Sequence, residues 1–447
     1  MTNDSSSAQS LLASLQSRTA TAGIVGLGYV GLPLAVAAAR SAFRTIGFDI
    51  DPSKPGPLNA GKSHIAAVRD DELSKLVREG RFVATGDFAR LSECDVIVIC
   101  VPTPLTKFRD PDLSFIENTC ETIARHLRRG QLVVLESTTY PGTTREVMKP
   151  ILETSGLTAG SDFFIGFSPE REDPGNANFE TATIPKVVAG DGREAGELVQ
   201  AFYGAFLQKI VPVSSPDVAE AVKITENVFR AVNIALVNEL KVIYSAMGID
   251  VWEVIEGAKT KPFGFMPFYP GPGLGGHCIP IDPFYLSWKA RAFDVTARFI
   301  ELAGEINVSM PHYVVESLCH ALSDRQQRAL NGARVLMIGL AYKKNVPDVR
   351  ESPTFELMEL MEERGAQVAF HDPFVPEVPM TREHAHYANW KSVPVTAETL
   401  AQYDAVLIST DHDSVDYALI ANNARLVIDT RNVMEKRGLS SQNVVKS

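Results

Sequence analysis

The segment Gly26–Gly31, GLGYVG, constrains this chain more than any other, because it follows the apolar run GIV and leads into the helix-patterned stretch LPLAVAAAR. Gly26 permits a tight turn, Gly28 lets a pyrophosphate approach the backbone, and Gly31 lets a helix pack closely on a sheet. The start of that helix then presents free N–H groups to an anion. Asp49 ends the next strand about twenty residues on, where a carboxylate accepts hydrogen bonds from ribose hydroxyls and repels a 2′-phosphate. NAD is therefore the expected cofactor, held by Gly26, Gly28, Tyr29, Val30, Gly31 and Asp49. Lys54 either reaches the adenosine side or is a solvated surface lysine.

Beyond this loop, short apolar runs alternate with amphipathic stretches: TIGFDI, DVIVICVP, LVVLEST, FFIGFSP and KVVAG. Such alternation implies βαβ units and a mostly parallel sheet. Pro216 to Met247 instead shows helical spacing without strand signals, which predicts a helix about 45 Å long that can span two domains and offer a face for dimerisation. From Arg334 the alternation returns in RVLMIGL, QVAFHDP, DAVLIST and LVIDTRN. The expected fold is α/β, with two Rossmann-like doubly wound domains bridged by a long central helix. The expected boundaries are a flexible segment 1–20, a NAD-binding domain 21–212, a central helical dimerisation domain 213–320 and a C-terminal Rossmann-like domain 321–447.

Composition narrows the partners. The net charge of −11 argues against nucleic acid, which needs a clustered basic surface. Cys94, Cys100, Cys120, Cys278 and Cys319 are odd in number, scattered and without a CxxC pair, which suggests reduced thiols in the cytoplasm and neither a disulfide framework nor a metal site. The first twenty residues lack a basic region followed by an apolar core, so a signal peptide is not expected. The most apolar run, Gly23 to Ala39, carries Gly and Pro and is too short for a membrane span.

Ligands of open α/β sheets sit beyond the carboxyl ends of the strands. Thr103 in CVPTP and Thr138 in LESTTYPG occupy such ends and are candidate site residues. The loop GPGLGGHCIPIDP, Gly271–Pro283, holds Cys278 behind four glycines, which bring backbone N–H groups and a ligand close to the sulfur. The other four cysteines lie in apolar periodic segments and read as small buried hydrophobes. In EAVKITENVF, Glu220, Lys223 and Asn227 share one helix face, where a lysine and an asparagine can stabilise an oxyanion or simply face solvent. In FSPERED, Glu170 and Glu172 follow a strand end, as a general base towards water or as a surface acidic turn.

Taken in order, GLGYVG, Asp49, CVPTP, EST, SPER, ExxKxxxN, GGHCIPIDP and AYKKNVPDVRES resemble the UDP-glucose/GDP-mannose dehydrogenase family across nearly the whole chain. The resemblance implies a four-electron oxidation that uses two NAD per sugar. Cys278 would capture an aldehyde as a thiohemiacetal and carry it to a thioester, with Lys223 and Asn227 stabilising the oxyanions and Lys223 lowering the thiol pKa. Asp282 and Thr138 would order water, and Glu170 would be the base for thioester hydrolysis. It further implies substrate contacts from Glu170, Arg171, Phe268, Tyr269, Gly273, Gly276 and Lys343, and from Lys261, in its own or a neighbouring subunit. Arg350 would meet the cofactor, the C-terminal domain would bind the UDP-sugar, and the chain would be a homodimer or higher homo-oligomer.

His277 and Ile281 stand where UDP-glucose dehydrogenases usually have Ser and Lys, so the cofactor contact expected of that lysine is in doubt. GGHC, SPEREDPGN and PFGFMPFYPGPGLGGHCIP resemble the branch acting on UDP-N-acetylhexosamines, with UDP-N-acetylglucosamine as the expected substrate for O-antigen or other surface polysaccharides. The alternatives are the N-acetylgalactosamine and N-acetylmannosamine epimers. A non-catalytic nucleotide-sugar sensor and a two-electron hydroxyacid dehydrogenase are the readings from other classes.

Overall fold

The computed structural model describes residues 4–65, 67–106, 110–171, 183–276, 279–381, 383–439 and 441–447. Contacts group the chain into two compact units, Met1–Glu226 with Phe284–Val295, and Asn227–Pro283 with Thr296–Ser447. The anticipated central region 213–320 is thus divided between them.

The first unit is built on eight strands: β1 (Thr21–Val25), β2 (Arg44–Phe48), β3 (Phe82–Thr85), β4 (Val96–Ile99), β5 (Leu132–Leu135), β6 (Phe164–Phe167), β7 (Lys186–Gly190) and β8 (Ile210–Pro212). Their order is β3-β2-β1-β4-β5-β6-β7-β8, and every pair is parallel except β6–β7. The first six strands follow the doubly wound dinucleotide-binding order, which reverses direction between β1 and β4. Both faces of the sheet are covered, which explains the near-continuous apolar runs. Val96, Val98, Leu132 and Val134 enter one core, and Ile97, Ile99, Val133 and Leu135 enter the opposite one.

The expectation of a flexible segment 1–20 fails for Asp4–Ser17, which is a helix. Its Ser- and Ala-rich sequence conceals a single apolar face: Ala8, Leu11 and Leu15 recur at helical spacing and are 7%, 5% and 0% exposed. They join the core that holds Phe202 and Tyr203 of the helix Arg193–Tyr203.

The helix Pro216–Ala246 has 31 residues and carries the chain from the first unit into the second. In the second unit, a second long helix, Arg298–Gln326, contains Pro311 in its interior. The sheet there comprises β9 (Arg334–Ile338), β10 (Gln367–His371), β11 (Ala405–Ile408), β12 (Val427–Asp429) and β13 (Val444–Lys446). All pairs are parallel, in the order β10-β9-β11-β12-β13. This is the other common doubly wound order, 2-1-3-4-5. No helix among the described residues is long and apolar enough to cross a membrane.

Because Leu15 is fully buried, Leu15→Ala is expected to cost about 2–5 kcal/mol, the usual range for deleting a core leucine side chain. Urea denaturation of the full chain measures this. An unchanged midpoint would mean that the N-terminal helix is not part of the core.

Candidate active site

The glycine loop divides its labour between fold and ligand. Gly26 has φ +93°, and a Cβ there would lie 2.5 Å from the carbonyl oxygen of Cys100. A Cβ on Gly31 would lie 1.8 Å from the carbonyl oxygen of Gly26. Both positions are closed to other residues by the protein's own backbone. Around Gly28 nothing stands within 4 Å of a built Cβ. Tyr29 is 48% exposed, and Val30 leads into the helix Gly31–Arg40 without a side-chain cap, the N–H of Leu32 donating to the Gly28 carbonyl at 3.1 Å.

Asp49 ends β2 with 6% exposure, and its Oδ2 accepts the N–H of Leu27 at 2.9 Å. The Lys54 ammonium pairs with the same oxygen at 2.7 Å. Open backbone at Gly28, an uncapped helix start and a buried carboxylate after β2 together fit a dinucleotide. Thr103, after β4, is buried, and its carbonyl accepts the Tyr285 hydroxyl at 2.7 Å. Thr138, after β5, is half-buried.

Beyond these strand ends lies the first unit's share of the long helix. Lys223 reaches Glu170, in the loop after β6, at 3.5 Å, with side chains only 7% and 12% exposed. An ammonium and a carboxylate withdrawn from water need each other, since a lone buried charge is costly. Arg171 points elsewhere: it donates to the Glu226 carboxylate at 2.6 Å and to the carbonyl of Pro185 at 2.6 Å. Glu220, fully buried, accepts the N–H of Gly142 at 2.6 Å and both the N–H and hydroxyl of Thr144, at 2.8 and 2.6 Å. Burial pushes its carboxyl up to about 7 against the pull of these donors. Glu136 of the EST motif is equally buried and serves Lys186 and the Tyr203 hydroxyl.

The second unit gathers the remaining candidates. The Asn227 amide donates to the Asp282 carboxylate, both at most 3% exposed. The stretch ahead of the cysteine lies against the loop after β9. A Cβ on Gly273 would stand 2.9 Å from Pro353, and one on Gly276 would stand 2.9 Å from the Tyr342 ring. The N–H of Gly276 donates to the carbonyl of Arg350 at 3.1 Å. Lys343 lies on that same loop, half-buried, and the Arg350 guanidinium is paired with Asp348 at 2.6 Å.

Upstream, Phe268 packs edge-on against Phe229, and Tyr269 stacks on Trp252. Lys261 is exposed, with its ammonium 5.0 Å from the Phe263 ring centroid. The buried Asn238 accepts the N–H of Gly271 at 3.1 Å and donates to Asn307 at 2.9 Å.

The structure thus pairs Lys223 with Glu170 and Asn227 with Asp282, and sets Gly273 and Gly276 against the loop carrying Lys343 and Arg350. It does not bring Arg171 to Lys223. Cys278, His277 and Glu172 lie outside the described residues. Cys94 and Cys120 are buried, with thiols pushed up to about 12, while Cys100 and Cys319 are half-buried. Tyr342, Asn238 and Tyr285 were missed from sequence. The signal in the sequence was indirect: adjacent glycines at 275 and 276 fit a close neighbour, which the structure shows to be Tyr342.

Residues 20–207 match the NAD binding domain of the UDP-glucose/GDP-mannose dehydrogenase family, residues 217–309 its central domain and residues 336–436 its UDP binding domain. A UDP-N-acetyl-D-glucosamine 6-dehydrogenase of Pseudomonas aeruginosa is 37% identical over 391 residues, 87% of this chain and 90% of that protein. An NDP-N-acetyl-D-galactosaminuronic acid dehydrogenase of Ralstonia nicotianae is 33% identical over 94% of this chain and 98% of that protein. The solved structure of a UDP-D-ManNAc dehydrogenase from Pyrococcus horikoshii superposes with a TM-score of 0.84 at 32% identity, over 95% of this chain and 97% of that one. With all three family domains in sequence order over this fold, the chain belongs to the UDP-glucose/GDP-mannose dehydrogenase family, as an NAD-dependent oxidoreductase of UDP-sugars.

Proposed function

We propose that this protein oxidises the C6 alcohol of UDP-N-acetylglucosamine to the carboxylate, through a covalent bond to Cys278. The observation that carries this reading is the buried pair of Lys223 and Glu170, 3.5 Å apart beyond the strand ends of the dinucleotide-binding sheet. An ammonium there can neutralise an oxyanion as it develops, and a carboxylate beside it can take a proton from water. NAD, which Gly28 and Asp49 would hold, would supply the hydride acceptor for both oxidations.

Each step leaves a defined task to the chain. The alcohol gives up a hydride and a proton and becomes an aldehyde. The Cys278 thiolate adds to that carbonyl, forming a carbon–sulfur bond and an oxyanion that Lys223 and Asn227 stabilise. Loss of a second hydride leaves a thioester. Water, deprotonated by Glu170 and ordered by Asp282 and Thr138, then cleaves the carbon–sulfur bond and frees the thiol. The loop Phe268–Gly273, with Gly276, Lys343, Arg171 and Lys261, would hold the sugar and diphosphate, and Arg350 would meet the cofactor.

The N-acetylglucosamine choice rests on the segment Pro262–Pro280 and on the Pseudomonas relative. The galactosamine and mannosamine epimers have equal standing from the Ralstonia and Pyrococcus relatives. The product would serve surface polysaccharide synthesis. A cytoplasmic location suits the scattered cysteines and the expected cofactor. A homodimer through the long helix is supported by Phe229, Leu236 and Ile243, which recur every seven residues and are 48%, 50% and 46% exposed.

Purified enzyme is expected to release two NADH per UDP-N-acetylglucosamine oxidised, and to oxidise the two epimers more slowly at equal concentration. One NADH per sugar would indicate a simple alcohol dehydrogenase, and none a sensor. Cys278→Ser is expected to abolish uronate formation while NAD still binds, as read by product analysis and calorimetric titration; uronate formed at the normal rate would eliminate the thioester route. Leu236→Asp is expected to shift the chain to monomer in sedimentation velocity, and an unaltered sedimentation coefficient would move the interface elsewhere.

A further inference from the structure

Two buried ionisable groups of the long helix, Glu220 and Lys241, are left unused by the chemistry above, and Glu220 is the one beside Lys223. Glu220 lies three residues before Lys223, so the two side chains share a helix face. All three of its donors come from one place, the turn that follows β5: the N–H of Gly142 on Oε2, and the N–H and hydroxyl of Thr144 on Oε1. Thr144 is itself fully buried and opens a π-helical turn, Thr144–Met148, whose first N–H groups lack partners within that turn. Thr138, a candidate site residue, lies in the loop after β5, four residues before Gly142.

We propose that Glu220 is a positioning residue, which locks the stretch Gly142–Thr144, and through it the loop that starts at Thr138, to the helix face that carries Lys223. The lysine then holds its reach to Glu170 while the threonine-bearing turn keeps its place beside the cofactor's strand ends. The geometry favours this over a generic helix contact. Both carboxylate oxygens are engaged by the turn, and burial to 0% exposure removes water as a substitute acceptor. A carboxylate held from two sides fixes rotation as well as distance, which a single hydrogen bond cannot do. Displacement of a catalytic group by about 1 Å is enough to cost up to a hundredfold in rate.

The inference rests on the reading that Lys223 and Thr138 serve the reaction, so the test includes a measurement free of that reading. Glu220→Gln keeps one acceptor oxygen and sets an amide against an N–H donor. Thr144→Val removes one donor hydroxyl at nearly constant volume. Expected for Glu220→Gln is a roughly tenfold fall in kcat with the sugar KM within about twofold, beyond any loss in folded fraction measured by denaturation. Thr144→Val should show a smaller fall, and the double variant should fall no further than Glu220→Gln alone, because both act through one contact. In parallel, calorimetric titration of NAD into the full chain without sugar should weaken severalfold in Glu220→Gln. Wild-type kcat and NAD affinity in that variant, or independent multiplication of the two kcat effects, would overturn the proposal. If wild-type enzyme oxidises no UDP-sugar, the catalytic reading fails instead, and the NAD titration alone decides the role of Glu220.

Discussion

An ammonium group with 7% of its side chain exposed is costly without an anion in reach, and the packing of the long helix's start against the strand ends of the first unit satisfies that need at Lys223. Glu170 answers it at 3.5 Å from the loop after β6. One turn earlier, Glu220 poses the same problem with opposite sign and is answered by N–H and hydroxyl donors after β5. The helix is therefore pinned at two heights to the ends of two neighbouring strands. Removing one partner of a buried pair leaves an uncompensated charge, a loss of about 3–5 kcal/mol that the structure avoids by holding this register. Glu220 is held by donors from one turn yet still has its carboxyl pushed up to about 7, so its desolvation is only partly offset.

Most of the scaffold was legible because it obeys a simple rule. Strands buried on both faces must be apolar at successive positions, and Val96–Ile99, Leu132–Leu135 and Ala405–Ile408 are. The strands that escaped notice, Phe82–Thr85, Ile210–Pro212 and Val444–Lys446, all sit at sheet edges. An edge strand has one neighbour and needs only three or four residues, too few for a pattern to stand out. The N-terminal helix escaped for a different reason. Its burial depends on Ala8, Leu11 and Leu15 alone, and the serines between them carry the composition of a flexible tail.

Within the site, legibility follows whether a residue's role is set by its local sequence. The glycine loop and Asp49 lie within one βαβ unit, so their spacing predicts their geometry, and the N–H of Leu27 reaches Asp49 as that unit requires. Asn238 and Tyr342 act on segments dozens of residues away, and nothing in their own neighbourhoods announces it. Lys54 shows how such a local reading can stop short. Its local sequence leaves an adenosine contact and a solvated surface lysine equally open, and its ammonium is held by Asp49, the same carboxylate expected to face the ribose. A cofactor hydroxyl arriving at Asp49 would therefore meet a carboxylate already shared with a cation and a backbone N–H.

The glycines before the cysteine carry the further lesson that a permissive residue can be required by the protein itself as much as by a ligand. Four glycines in thirteen residues suggested room for substrate around the sulfur. At Gly273, Gly275 and Gly276 the space a side chain would need is taken by Pro353 and Tyr342, and φ is +149° at Gly273 and +84° at Gly276. At Gly273 and Gly276 any other residue would have to displace a proline or an aromatic ring and also adopt a positive φ, while at Gly275 the obstacle is the space alone. The loop is thereby moulded against the segment from Tyr342 to Pro353, with the N–H of Gly276 on the carbonyl of Arg350. Lys343 and Arg350 lie on that segment, so the two parts of the second unit expected to meet a nucleotide-sugar are locked together by glycine packing, before any ligand contributes.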